Sequence, residues 1–294
     1  MANPDCSGNY TYYDYRNFPL QWYELNARMN PSLPAGEDNV SVHHRIRYGI
    51  AGGQRGIESL DSGLKLPWLY VHGGPGGGFS PDDHRMIDPD IYVPIMVVQR
   101  GSAGSGHEGN MQDVSVAHFI IDYVDVLAHL GISKAHFSGG SWGTTLVLKL
   151  LLEHPQLFMK LPTLRGLWIP SGKDLQSGKR LPDECGAGNT YQQRPNPQQQ
   201  TCNTLKKPLP INARPWRFAA TICHFHANRF FLDIGDDFES CEIWQRRGEL
   251  VSMGLAMGDL VQGADDSLCR PEIAVRWAAE RTPMEQLTSL RLIN

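Results

Sequence analysis

The chain has 294 residues, with 27 Lys and Arg against 31 Asp and Glu and a formal net charge of −4. That balance offers no basic field to nucleic acid, and no apolar run reaches the length of a membrane span. The length predicts one large domain with an insertion, or two domains. Six scattered cysteines (Cys6, Cys185, Cys202, Cys223, Cys241 and Cys269) contain no C-x-x-C pair. They read as reduced thiols rather than a disulfide frame or a zinc site, so no metal is expected. Residues 1–6 lack the basic and apolar regions of a signal peptide, which predicts a cytoplasmic protein. Asn9-Tyr-Thr11 and Asn39-Val-Ser41 then match the glycosylation pattern by chance.

Residues 1–42 are aromatic and irregular, broken by Pro19, Pro31 and Pro34, and read as an N-terminal extension. From His43 the texture changes. Val42 to Tyr48 alternates as a strand does, with a turn at Ala51-Gly-Gly53. Leu66 to Val71 is a buried strand running into His72-Gly-Gly-Pro-Gly-Gly-Gly78. Ile91 to Val98 is a second apolar strand, in which Pro94 must lie near the start or at an edge. Val116 to Leu130 has helical spacing stopped by Gly131, and Ile132 to Ser138 is a short strand. It leads into Gly139-Gly-Ser-Trp-Gly143, and Thr145 to His154 is a buried helix closed by Pro155. Strands alternating with helices predict a mostly parallel α/β sheet over residues 43–170. Residues 171–215, rich in Gly, Gln, Asn and Pro, read as a loop or disordered insertion. Residues 216–294 regain helical texture, and Glu272 to Ile293 reads as helix apart from Pro283.

Two segments carry chemistry. Consecutive glycines after a strand leave backbone N–H groups uncovered, able to face a developing oxyanion. Gly139-Gly-Ser-Trp-Gly143 is the G-x-S-x-G pattern of a nucleophile elbow, which exposes a serine at a strand-to-helix turn. Ser141 is the candidate nucleophile. Gly73, Gly74 and Trp142 are the candidate oxyanion donors.

His72 to Gly78, Ser80-Pro81, Asp88-Pro89, Tyr92, Gln99-Arg-Gly101 and Gly139 to Leu146 together resemble the prolyl aminopeptidases (proline iminopeptidases). The resemblance runs from about His43 to Gly166, with His118 and Asp122 placed where the family has His and Asp. It implies an α/β-hydrolase fold with a helical cap. It also implies release of N-terminal proline from small peptides by serine catalysis, with no cofactor. The sequence departs from the family at Val98, where Asp is usual, and at Ala103, where glycine is usual. Trp277-Ala-Ala-Glu280 is similar, at altered spacing, to the cap segment that holds the substrate amine, which makes Glu280 a candidate substrate-binding residue. Asn228-Arg-Phe-Phe231 is similar to another cap segment in the opposite order, so only one of the two can be right.

In this fold an acid and then a His follow the serine. No His follows His226, and no segment like the family's His-Gly-Arg-Tyr-Asp is evident. His224 and His226 read as cap or packing residues, and Asp233, Asp236 and Asp237 as a solvated turn. Residues 216–294 are therefore expected to be an incomplete cap, with the C-terminal part of the core missing and little peptidase activity. The alternatives are an esterase or amidase of the same fold, or a non-catalytic fragment that acts at most in binding.

Overall fold

In the computed structural model, residues 13–28, 40–80, 82–102, 104–105, 111–176, 214–253, 255, 258–279 and 288–293 are described, and one eight-stranded sheet forms the centre. Its strands are β1 (Leu20–Arg28), β2 (Val40–Ala51), β3 (Leu66–Val71), β4 (Tyr92–Val97), β5 (His136–Gly140), β6 (Thr163–Arg165), β7 (Gly258–Gly263) and β8 (Thr288–Ile293). They lie in the order β1-β2-β4-β3-β5-β6-β7-β8. β2 runs antiparallel to both neighbours, and every pairing from β4 through β8 is parallel. The helices are α1 (Gln54–Asp61), α2 (Val116–His129), α3 (Trp142–Glu153), α4 (Gly172–Gln176), α5 (Arg214–Ala227), α6 (Glu242–Gln245), α7 (Arg247–Ser252) and α8 (Pro271–Ala279).

Period-two alternation sorts strand residues onto two faces. Leu69, Val71, Ile95, Phe137, Leu164 and Leu260 share one core with Phe119 and Val126 of α2 and Leu146 and Leu150 of α3. Each such side chain stabilises the fold by about 2 kcal/mol through lost apolar exposure. Ten of the 12 residues of α3 are buried, so it is covered on nearly all sides and serves as the central core helix. The opposite face is thinner, with Tyr70 and Met96 under Trp68, Phe79 and Tyr92. Pro94 sits inside β4, but β2 pairs only with Ile95 to Val97. At Pro94 the strand therefore has a neighbour on the β3 side alone.

Three expectations change. The sheet is not cut short: β7 and β8 extend it beyond β6, paired over six residues from Gly258↔Thr288 to Gly263↔Ile293. Gly258-Asp-Leu-Val-Gln-Gly263 alternates buried and half-buried positions. Its two glycines and two polar residues hide that period in the sequence. Within 272–293, read as helix, α8 covers the stretch up to Ala279, Thr288–Ile293 is a strand, and 280–287 lie outside the described residues. Finally, residues 1–42 are not all extension, since Leu20–Arg28 is the edge strand next to β2. The insertion assigned to 171–215 falls, over 177–213, outside the described residues; Gly172–Gln176 before it is helical, and so is α5, which begins at Arg214.

Candidate active site

β3 and β5 are adjacent and parallel, with Trp68 opposite His136 and Val71 opposite Gly139. The turns that leave them therefore emerge side by side at the carboxyl edge of the sheet, where open α/β sheets bind ligands. Ser141 lies between β5 and α3 with φ 52° and ψ −123°. A non-glycine residue there costs about 1–3 kcal/mol, which the surroundings must hold in place. Ser141 N–H donates to Arg165 O at 2.9 Å, and Ser141 O accepts from Thr144 N–H at 2.8 Å. The flanking glycines permit the approach of α3 to the sheet. A Cβ on Gly143 would lie 2.1 Å from Val71 O, and one on Gly139 would lie 2.4 Å from Gly143 O.

The glycine-rich turn after β3 meets this elbow. A Cβ on Gly73 would lie 3.2 Å from Ser141 Cβ and 2.9 Å from Gly140 O. Among the described residues, the N–H groups of Gly73, Gly74 and Trp142 have no backbone or side-chain acceptor. That of Trp142 also opens α3, so the positive end of the helix dipole adds to it.

The turn is anchored by two fully buried side chains, His72 and Gln99. His72 Nδ1 lies 2.8 Å from Gly73 O, and His72 Nε2 accepts from Gln99 N–H at 3.1 Å. Gln99 Nε2 donates to His72 O at 2.8 Å, and Gln99 Oε1 accepts from Gly76 N–H at 3.0 Å. Burial lowers the His72 pKa to about 4, so the ring is neutral. Arg100, next in the chain, forms a two-pronged buried ion pair with Asp122 of α2 at 2.9 and 2.5 Å. Removing either partner would strand a buried charge at a cost of about 3–5 kcal/mol.

The third wall comes from the turns after β6 and β7. Asp266 Oδ1 accepts from the N–H groups of Leu268 and Cys269, both at 2.9 Å. Its Oδ2 and the Cys269 Sγ face Gly166, 3.7 and 3.3 Å from where a Cβ would be. Gly166 adjoins the Arg165 carbonyl that holds Ser141. Buried Gln262 ties the two turns together, accepting from Leu167 N–H at 3.1 Å and donating to Cys269 O at 2.6 Å. Burial pushes the Cys269 thiol pKa up to about 11, with the Ser141 side chain nearby acting against that shift.

Of the candidates read from the sequence, Ser141, Gly73, Gly74 and Trp142 are brought together, and Glu280 lies outside the described residues. The Trp142 ring is buried against Trp168, Phe225 and Phe230. His118 is bonded to Ser115, His224 to the Val114 carbonyl, and His226 packs on Phe230. Asp237 caps a short turn through Ser240. Among the described residues no histidine is hydrogen-bonded to Ser141 or Asp266, and no cluster of three or more His, Cys, Asp or Glu could hold a metal. The sequence reading missed Asp266 and Cys269. The available signal was an acidic residue in a turn just past an alternating run, downstream of Ser141. Gln262-Gly-Ala-Asp-Asp266 has Gly and Asp at the spacing of the family segment judged absent.

Residues 67–176 match the family model of the alpha/beta hydrolase fold. The proline iminopeptidase of Neisseria gonorrhoeae is 32% identical over 135 residues, which is 46% of this chain and 40% of that protein. The proline iminopeptidase of Arabidopsis thaliana is 33% identical over 109 residues, covering 37% and 28%. The matched stretch thus spans less than half the length of either relative. Among solved structures, a hydrolase from Pseudomonas aeruginosa aligns with a TM-score of 0.53 at 17% identity, covering 88% of this chain and 91% of that one. An alpha/beta hydrolase enzyme from a deep-sea metagenome aligns with 0.56 at 15%, covering 85% and 86%. An esterase from Exiguobacterium antarcticum aligns with 0.54 at 16%, covering 85% and 87%. The chain has the α/β-hydrolase fold, and within it one stretch resembles the proline iminopeptidases.

Proposed function

We propose that this protein is a serine hydrolase that releases N-terminal proline from small peptides, with Ser141 as nucleophile and Asp266 as the acid of its triad. One observation carries the reading: a strained serine at φ 52° beside three backbone N–H groups without acceptors. Ser141 Oγ attacks the carbonyl carbon of the N-terminal proline and forms a C–O bond. The N–H groups of Gly73, Gly74 and Trp142 receive the resulting oxyanion. Collapse breaks the C–N bond, and the proton lost by Oγ leaves with the amine. Water then releases the acyl group by the same steps.

Asp266 supports this reading because one of its oxygens is saturated by two backbone N–H groups while the other lies near Gly166, next to the Arg165 carbonyl that accepts from Ser141 N–H. A carboxylate so held can orient an imidazole and stabilise its charged form. No His follows His226 in the sequence, and among the described residues none is hydrogen-bonded to Ser141 or Asp266. Without an imidazole base, nucleophile and oxyanion donors together give only about 10³–10⁴-fold catalysis over water.

Fluorophosphonate labelling and proline-naphthylamide turnover, each compared with Ser141→Ala, test the reading. Labelling that vanishes in Ser141→Ala is expected, and prolyl turnover that vanishes with it. Ester cleavage without prolyl turnover would instead favour an esterase. A wild type that is never labelled would leave only a binding role.

A further inference from the structure

We propose that His72 and Gln99 are positioning residues that aim the Gly73 and Gly74 N–H groups at the space above Ser141. This rests on the serine-hydrolase reading for its catalytic consequence, though not for its geometry. A trans peptide is planar, so its C=O and N–H point in opposite directions. Whatever fixes the carbonyl of one residue therefore fixes the amide hydrogen of the next.

Two such carbonyls are fixed here. The His72 carbonyl accepts from Gln99 Nε2 at 2.8 Å, which turns the Gly73 N–H the other way. The Gly73 carbonyl lies 2.8 Å from His72 Nδ1 and accepts from Gly77 N–H at 3.1 Å, which sets the Gly74 N–H. With no side chains of their own, the glycines cannot be steered by packing. The steering falls to the two buried groups that grip their neighbours' oxygens.

The tautomer of His72 follows from its partners. Nε2 faces the Gln99 N–H at 3.1 Å and must present its lone pair. Nδ1 then carries the hydrogen and donates to Gly73 O. The Gly78 N–H, 3.2 Å from Nδ1, is the weaker contact, and in this tautomer it is not satisfied by the ring. The other tautomer would set two N–H groups against each other at Nε2 and two lone pairs at Gly73 O. Gln99 is fixed in the same way. Its amide nitrogen must face His72 O and its oxygen must face Gly76 N–H, so neither Glu nor Leu can replace both contacts.

The test has two arms. In ¹⁵N-labelled protein, long-range proton–nitrogen spectra are expected to show His72 as the Nδ1–H tautomer, and an Nε2–H signature would overturn the proposal whatever the activity. In the second arm, the rate constant of fluorophosphonate labelling at Ser141 is measured for His72→Asn, His72→Leu and Gln99→Leu. Asn keeps a donor where Nδ1 stands, so its rate is expected within a few-fold of wild type. The two Leu variants are expected to fall about 10²-fold, the usual loss for one oxyanion donor. Unfolding midpoints are compared across the three, so that a general loss of structure is recognised. Equal rates in His72→Asn and His72→Leu, with both folded, would overturn the proposal. A wild type that fails to label would count against the serine-hydrolase reading, and the tautomer arm would still decide this one.

Discussion

The two halves of the candidate site are built in opposite ways. One half, the turn after β3 with the elbow after β5, is made of glycines. The chain there approaches itself so closely that a Cβ on Gly143 would lie 2.1 Å from Val71 O. The other half, the turn after β7, places a single carboxylate, and the shape is held by polar bonds from Asp266 and Gln262. Steric permission must be written into residue type, because only glycine fits. Polar bracing can be written in many residue types, because any acceptor in the right place will take a backbone N–H. The first half is rigid by exclusion and the second by hydrogen bonding.

That contrast can be broken at its strongest point with Asp266. Asp266→Ala is expected to lower turnover, because the carboxylate that would hold and charge-stabilise an imidazole is gone. It would also leave two N–H groups unpaired, at about 1–3 kcal/mol each where no water replaces the acceptor. Asp266→Asn keeps the Oδ1 acceptor and should recover most of the stability but not the turnover, as measured by urea unfolding beside prolyl-naphthylamide assays. Turnover preserved in both variants would remove Asp266 from the site.

Gly143→Ala probes the steric half. Its new methyl meets backbone rather than a yielding side chain, so a loss of about 3 kcal/mol in urea unfolding is expected. An unchanged midpoint would show that α3 can shift off β3 freely.

A smaller effect comes from pH. Burial holds the His72 pKa at about 4, against 6.5 in an open environment. Between those values the unfolded chain binds more protons than the folded one, so stability is complete above pH 6.5 and falls as the pH falls. His72 alone should account for a loss of about 2 kcal/mol between pH 6.5 and 5. Burial lowers the pKa values of His84, His136, His224 and His226 as well, with the same sign. Urea midpoints at pH 7 and 5 for wild type and His72→Asn isolate its share. An equal loss in both would mean that the ring is not held neutral by the fold.

The strands from Leu66 to Gly140 were legible because hydrophobic runs and glycine placement agree there, whereas the three-residue β6 was not read. β3 is an apolar run that ends in a glycine turn, β5 leads into the glycines of the elbow, and α3 is apolar over most of its length. β7 was not legible. Its polar residues Asp259 and Gln262 read as surface, yet Gln262 is buried and spends its amide on Leu167 and Cys269. β1 was obscured by the aromatic, proline-broken sequence around it, and β8 by the helical spacing that precedes it. A strand so short takes its identity from the neighbour it pairs with, which the local sequence does not record.

By itself the sequence determined where a serine could stand at a strand-to-helix turn and which backbone N–H groups could face it. Both follow from residues that only one backbone conformation accommodates. Which acid is carried to the turn next to the serine's Arg165 anchor was decided by tertiary structure alone. Asp233, Asp236, Asp237 and Asp266 all sit in turns and look alike along the chain. Only the parallel pairing of β6 with β7 carries Asp266 to Gly166 and the elbow, while Asp237 caps a turn elsewhere. The physical reason is range: steric demands act between neighbours in sequence, whereas a carboxylate's partners are chosen by strands that meet about a hundred residues apart.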